Sequence, residues 1–444
     1  MTEHTKASTM RRRPRIDALA GAVSVQRVEA LICTGLPGLY RVVVFFAVQH
    51  VYSLAELGRT ASSMSIAQMV CFFTAIGWAT LILVRVPAAT TQRGAIAAFY
   101  GVAVMSFVTT VVCTLFGLAF ATSKVIPFDL PAFLALLWGW TAYQVARHYF
   151  VALKRYRAAI AFDIALIVGS GVMLAACQRG GLSAASALAA ALGTIAIAMF
   201  AGIGRPALQM LPRRLDSKGL QFGLTNLLSG GIALIFVPAA TVMCGAAFAG
   251  LLSLLSSVTA IGMLLPRAIS MTQLADLAKR KAAAASLDES LRMMSRSIGW
   301  CNGATLGCNV VLVLLLATAQ IHGVTHQTGA VVAGLLLTVQ CAVSMMGIAN
   351  SSVMMVFEQG AATAKINVIT TSVFALLVVA CYAYGGQPGF TMILCSAIAV
   401  TVWRNWLVQN RARVVYRQYS NFCRLATDPN TNGQLHPQSH GAPR

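Results

Sequence analysis

The residue of this chain with the clearest chemical potential is Arg41. It lies about eleven residues into an apolar run over 30–52, which at about 1.5 Å per residue puts it near mid-bilayer if that run is a transmembrane helix. A charge there costs about 2.5–3.5 kcal/mol on insertion scales, and such residues face a bundle interior or an aqueous cavity. Thr34, Gly38, Phe45 and Gln49 share its face at helical spacing, giving a stripe that is small, polar or aromatic. A guanidinium is permanently charged and forks onto phosphate oxygens. The chemistry implied is anion binding in a central cavity. The structural alternative is an arginine that snorkels or bonds carbonyls at the Pro37 kink.

Other candidates are weaker. Asn226, with Gln221 and Ser229, puts polar groups on a later apolar run, where helix packing through Gly223, Gly230 and Gly231 explains the segment equally well. Asp163 is expected to pair with Arg157 at an interface, the alternative being a protonatable acid that couples transport to an ion. Arg85 and Arg267 stand at helix ends as candidates for a cytoplasmic gate, where ordinary positive-inside anchoring also places arginine. Glu358 is expected to be solvated. Signals for soluble enzymes are absent: there is no Gly-rich phosphate loop ending in Gly-Lys-Ser/Thr and no Gly-x-Ser-x-Gly elbow. His50, His148, His322 and His326 are dispersed, and the 11 cysteines are scattered singly, mostly inside apolar runs. They read as small core hydrophobes. No catalytic residue, metal or cofactor is expected.

The elements that must position these residues follow from composition. Of 444 residues 58% are hydrophobic and 10% charged, against about 45–50% and about 25% in soluble domains. Lipid is the solvent such a chain requires, and the backbone then demands helices or a closed barrel. Runs near 20 residues without period-two alternation mean helices. They are expected near 30–52, 62–84, 95–120, 130–152, 158–177, 181–204, 219–242, 246–268, 298–320, 328–357, 362–384 and 387–409. The fold class is thus an all-α integral membrane protein of about twelve transmembrane helices.

The net charge of +21 does not point to nucleic acid, because the basic residues sit in short loops between apolar runs. With the N-terminus inside, 29 Lys and Arg fall in cytoplasmic segments and adjoining helix ends. Three (Arg59, Lys124 and Arg179) fall outside, and Arg41 lies within a helix, accounting for all 33. That excess places both termini in the cytoplasm. A basic, proline-containing linker at 205–218 separates two six-helix lobes, 30–204 and 219–409, around a central cavity. Thr74-Ala75-Ile76-Gly77 recurs as Thr259-Ala260-Ile261-Gly262, and the first and seventh helices each hold a proline, Pro37 and Pro238. Residues 1–29 form a basic cytoplasmic tail; 410–444 are basic, then disordered from Asp428. Met271 to Arg296 reads as a cytoplasmic amphipathic helix held at an anionic membrane face.

Tyr52-Ser53-Leu54-Ala55-Glu56-Leu57-Gly58, then Thr74-Ala75-Ile76-Gly77 closing on Leu83-Val84-Arg85, resembles the start of polysaccharide and lipid-linked oligosaccharide flippases. Leu264-Leu265-Pro266-Arg267-Ala268 before a basic amphipathic helix also looks like theirs. They belong to the multidrug, oligosaccharidyl-lipid and polysaccharide (MOP) exporter superfamily. The resemblance implies two six-helix bundles that open alternately to each side, a polyprenyl-pyrophosphate-linked glycan as substrate and cationic cavity residues, for which Arg41 fits. It implies a bacterial inner-membrane location, partners among membrane lipids and glycan-assembly proteins such as a polysaccharide polymerase, and no nucleic acid. This chain has fewer intramembrane charges than such a substrate would lead one to expect. Competing readings are a multidrug or small-molecule antiporter of the same superfamily, which would need a membrane acid, and a non-transporting scaffold. A third is a membrane acyltransferase acting on polysaccharide, to whose start Arg15-Ile16-Asp17-Ala18-Leu19-Ala20-Gly21 is similar, with Ala20 where their arginine stands.

Overall fold

Over the described residues, each apolar run expected to span a membrane forms helix in a computed structural model. It describes residues 13–121, 129–205, 218–261, ten scattered positions between 263 and 283, 285–318 and 328–427. The first four helices are α1 (Arg13–Val51), α2 (Leu54–Arg85), α3 (Gln92–Ala121) and α4 (Leu130–Ala152). Next come α5 (Tyr156–Arg179), α6 (Ala184–Ile203), α7 in two halves (Lys218–Gly230 and Phe236–Cys244) and α8 (Ala246–Ile261). Then follow α9 (Asp288–Thr318), α10 in two halves (Thr328–Met346 and Ile348–Val356), α11 (Gly360–Tyr384) and α12 (Gly386–Thr427). Among the described residues nine helices are long and apolar enough to cross a membrane, ten if the halves of α7, bent by 66°, count as one span. The remaining helices fall short for visible reasons: α8 is short, and α4 carries Gln144, Arg147 and His148. The protein is a multi-pass membrane protein.

Two compact units divide at residue 257, Met1–Ser257 and Val258–Arg444, so α7 and most of α8 group with the first six helices. Residues 206–217, most of the expected linker, lie outside the described residues, as does the C-terminal stretch from 428. Helix α1 begins at Arg13, so the expected N-terminal tail is helical from there and continuous with the first span.

In the first unit α2 holds a π-helical turn, Phe72–Ile76. Its repeat partner in α8, at Thr259, is ordinary α-helix. At this turn α7 comes close: a Cβ on Gly223 would overlap the Phe72 carbonyl, and one on Gly77 the Gly219 carbonyl. Glycine is what lets these backbones touch. The prolines of α1 and α7 do different work. Pro37 sits inside an unbroken helix, whereas Pro238 lies in the first turn after a break at Ile232–Leu234, where its missing N–H costs nothing.

In the second unit α12 continues to Thr427, well past the expected end of its span, and this corrects the expectation for the loop before α9. Leu277 and Leu287 pack in one cluster with Ala349, Val356, Phe357, Tyr416 and Tyr419. The Lys281 ammonium donates to the Val356 carbonyl (2.9 Å) and lies 5.1 Å over the Phe357 ring. Tyr416 donates to Asp288 (2.6 Å) and Tyr419 to the Ala285 carbonyl (2.9 Å). The apolar side of the loop is therefore taken by protein and not by lipid, because the extension of α12 supplies a wall for it.

Candidate functional site

Helices α4 and α5 form a hairpin whose turn, Leu153–Arg155, sets them antiparallel. Arg147 lies five residues before α4 ends and Asp163 seven residues after α5 starts, so the turn brings both to one depth. They form a buried ion pair. Arg147 Nε donates to both Asp163 oxygens (3.0 and 3.1 Å) and Nη2 to Oδ2 (3.0 Å). Tyr143 O–H donates to Oδ1 at 2.6 Å, so the carboxylate is saturated by charge-assisted bonds. Arg147 Nη2 also donates to the Cys33 carbonyl on α1 and lies 3.3 Å from the Cys33 sulfur. Around the pair Tyr40 bonds Ser170 (3.2 Å) and stacks toward Trp140, which in turn meets Tyr143.

This arrangement corrects two expectations. Asp163 does not pair with Arg157, which instead meets Glu29 at 2.7 Å on the exposed edge of α1. Nor is Arg41 the one charge inside the bundle, since Arg147 is about as buried as Asp163. In the sequence Arg147 reads as one of the bases at a cytoplasmic helix end, because nothing local distinguishes it. The available signal was its distance from the tight turn, matched by that of Asp163.

Arg41 is set apart from this cluster. Among the described residues it makes no hydrogen bond: its Nε is buried without a partner, and its guanidinium carbon lies 5.3 Å from the centroid of the Phe45 ring one turn on. The alternative reading, in which Arg41 bonds a carbonyl at the Pro37 kink, has no contact behind it among the described residues; Arg147 meets the Cys33 carbonyl there. Gln49 is half-buried two turns along α1, and Asn226 is half-buried on the first half of α7. Arg85 is exposed at the end of α2, while Arg267 lies outside the described residues. Among the described residues no contact joins Arg41 to Gln49 or Asn226; each carries a group that an anion or a hydroxyl could meet.

No protein-family model and no curated protein matches the sequence. Solved structures do. An inward-facing multidrug resistance MATE family transporter of the MOP superfamily superposes with a TM-score of 0.66 at 12% identity, over 89% of this chain and 99% of that one. The MATE multidrug transporter DinF-BH, solved as a complex, gives 0.61 at 13% identity, over 93% and 100%. A MOP superfamily transporter from Pyrococcus furiosus, described by the reversed polarity of its binding pocket, gives 0.58 at 12%, over 89% and 95%. The chain has the MATE fold.

Within this MATE fold the residues that carried the flippase resemblance are positioning residues. Ser53 caps α2 through the Glu56 N–H (3.1 Å), and Glu56 in turn accepts from the Ala184 N–H that opens α6 (3.1 Å). Tyr52 donates to the Leu182 carbonyl (3.1 Å). Thr74 bonds Thr141 (2.8 Å), and its carbonyl takes the Ser106 hydroxyl, tying the π-turn to α3 and α4.

Proposed function

We propose that this chain is an alternating-access transporter that carries polyprenyl-pyrophosphate-linked oligosaccharide across a bacterial inner membrane, with Arg41 as the cation that meets the pyrophosphate. The observation that carries this reading is the contrast between two arginines of one unit. Arg147 is neutralised by Asp163, whereas Arg41 stands in the membrane-spanning part of α1 with no partner among the described residues. An unpaired intramembrane charge is costly and marks a substrate path. Gln49 and Asn226 are the amide donors assigned to the glycan, and Arg85 and Arg267 the candidates for a cytoplasmic gate. The MATE fold supports transport over acyl transfer, and the flippase resemblance supports the glycan.

Arg41→Ala is expected to abolish translocation of a labelled lipid-linked oligosaccharide in proteoliposomes while leaving protein level and insertion normal, since removing the charge lowers the insertion cost. Arg41→Lys keeps partial activity, because a point charge also holds phosphate. Normal translocation by the Ala variant overturns the anion site. A second reading, a small-molecule antiporter, is favoured by the buried carboxylate of Asp163, which offers the membrane acid that ion coupling requires. Efflux of a cationic dye driven by an imposed proton gradient, without glycan movement, would install that reading in place of the first.

A further inference from the structure

Proline has no N–H, so the carbonyl four residues before it loses its intrahelical donor. In α1 that carbonyl belongs to Cys33, the partner Pro37 cannot serve. In lipid an orphan carbonyl must be satisfied by a neighbouring group, and the group found there is Arg147 Nη2 from α4. Its Nε and Nη2 also donate to Asp163 on α5, which Tyr143 holds as well. Three helices therefore meet at one backbone defect. Arg41 stands one turn beyond Pro37, so whatever fixes the kink fixes where Arg41 points.

We propose that Arg147 is a positioning residue: it supplies the hydrogen bond that Pro37 removes from α1, and its pairing with Asp163 holds the outer half of α1, with Arg41 on it, in a single direction. The consequence for substrate rests on the anion-site reading, but the mechanical claim does not. Both carboxylate oxygens, Nε and Nη2 are engaged within the protein. That is the arrangement of a brace, as distinct from a cation held open for a ligand.

The test uses the full-length chain in nanodiscs, with native cysteines replaced (Cys33→Ala keeps its carbonyl) and spin labels at Phe46 on α1 and Ile197 on α6. Both positions are exposed and lie in the same unit. A change of about 20° in the kink, acting over about 13 Å of helix, moves Phe46 by about 5 Å. Removing both charges together with Arg147→Met and Asp163→Asn avoids stranding either one and leaves Tyr143 an acceptor. With Pro37 present, this double variant should shift or broaden the Phe46–Ile197 distance by about that amount. In the Pro37→Ala background, where the Cys33 carbonyl regains its own donor, the same double variant should change nothing. No shift with Pro37 present, or an equal shift in both backgrounds, overturns the proposal. Distances that behave as expected while Arg41→Ala transports normally leave the brace standing and remove only the anion site.

Discussion

The two units bury polarity by different means. In Met1–Ser257 a full ion pair, Arg147 with Asp163, is buried, and it serves a carbonyl that a proline has stripped of its donor. In Val258–Arg444 the work falls mainly to neutral carboxamides. Asn302 donates to the Ala342 carbonyl (3.0 Å), Asn405 to the Val343 carbonyl (2.7 Å) and Gln340 to the Thr401 hydroxyl (2.9 Å). The one arginine among them, Arg404, also meets an amide, donating to Asn367 Oδ1 at 2.7 Å. These carboxamides stitch α9, α10 and α12 together, and the side-chain oxygens of Asn302, Gln340 and Asn405 are buried without donors. The difference teaches what each donor reaches: the guanidinium meets a proline-stripped carbonyl and an acid at once, while in the second unit neutral amides from α9 and α12 meet the carbonyls of the last turn before the Gly347 break in α10.

The comparison breaks most visibly if one charge of the pair is removed. Arg147→Met alone strands Asp163 and should destabilise the protein by about 3–5 kcal/mol, with most of that recovered when Asp163→Asn is added. Thermal unfolding of the purified protein reads both. Equal losses in the single and double variants would mean that the arginine matters through its packing and not its charge.

Helix packing gives the next largest contrast. Gly223→Ala pushes a methyl into the Phe72 carbonyl at the π-turn and should cost about 1–3 kcal/mol. Gly303→Ala on α9, where a Cβ meets nothing within 4 Å, should stabilise by up to about 1 kcal/mol through the unfolded chain. Similar unfolding midpoints for the two would mean that the close α2–α7 approach tolerates a methyl and does not require glycine. The smallest effect belongs to the second unit: Asn405→Ala removes one neutral interhelical bond, worth about 0.6 kcal/mol in membrane proteins. A loss as large as that of Arg147→Met would put the two units on equal terms.

Much of the fold was legible because its signals are local. An apolar run of about 20 residues must be a helix in lipid whatever its neighbours are, so all twelve runs became helices, with ends off by several residues where caps decide. Helix α2 starts eight residues before its expected start because the Ser53 hydroxyl caps it at the Glu56 N–H. The amphipathic loop was recognised by its leucines, but its occupant was not: lipid and a protein wall present the same apolar face to a sequence pattern. Asp163 and Arg41 were singled out because acids and bases are rare in apolar runs, and Arg147 was passed over because it stands near a helix end.

The sequence alone determined that this chain lives in a bilayer, roughly where it crosses, and that Pro37 would leave a carbonyl in need of a donor. Those follow from hydrophobicity and from the chemistry of single residues. Only the tertiary structure decided which donor answers. Arg147 and Cys33 are 114 positions apart, and a contact at that separation is set by how α1, α4 and α5 pack, which no local pattern encodes. The same packing decided that Arg147 would be neutralised while Arg41, among the described residues, meets only the Phe45 ring, although the two side chains are chemically identical.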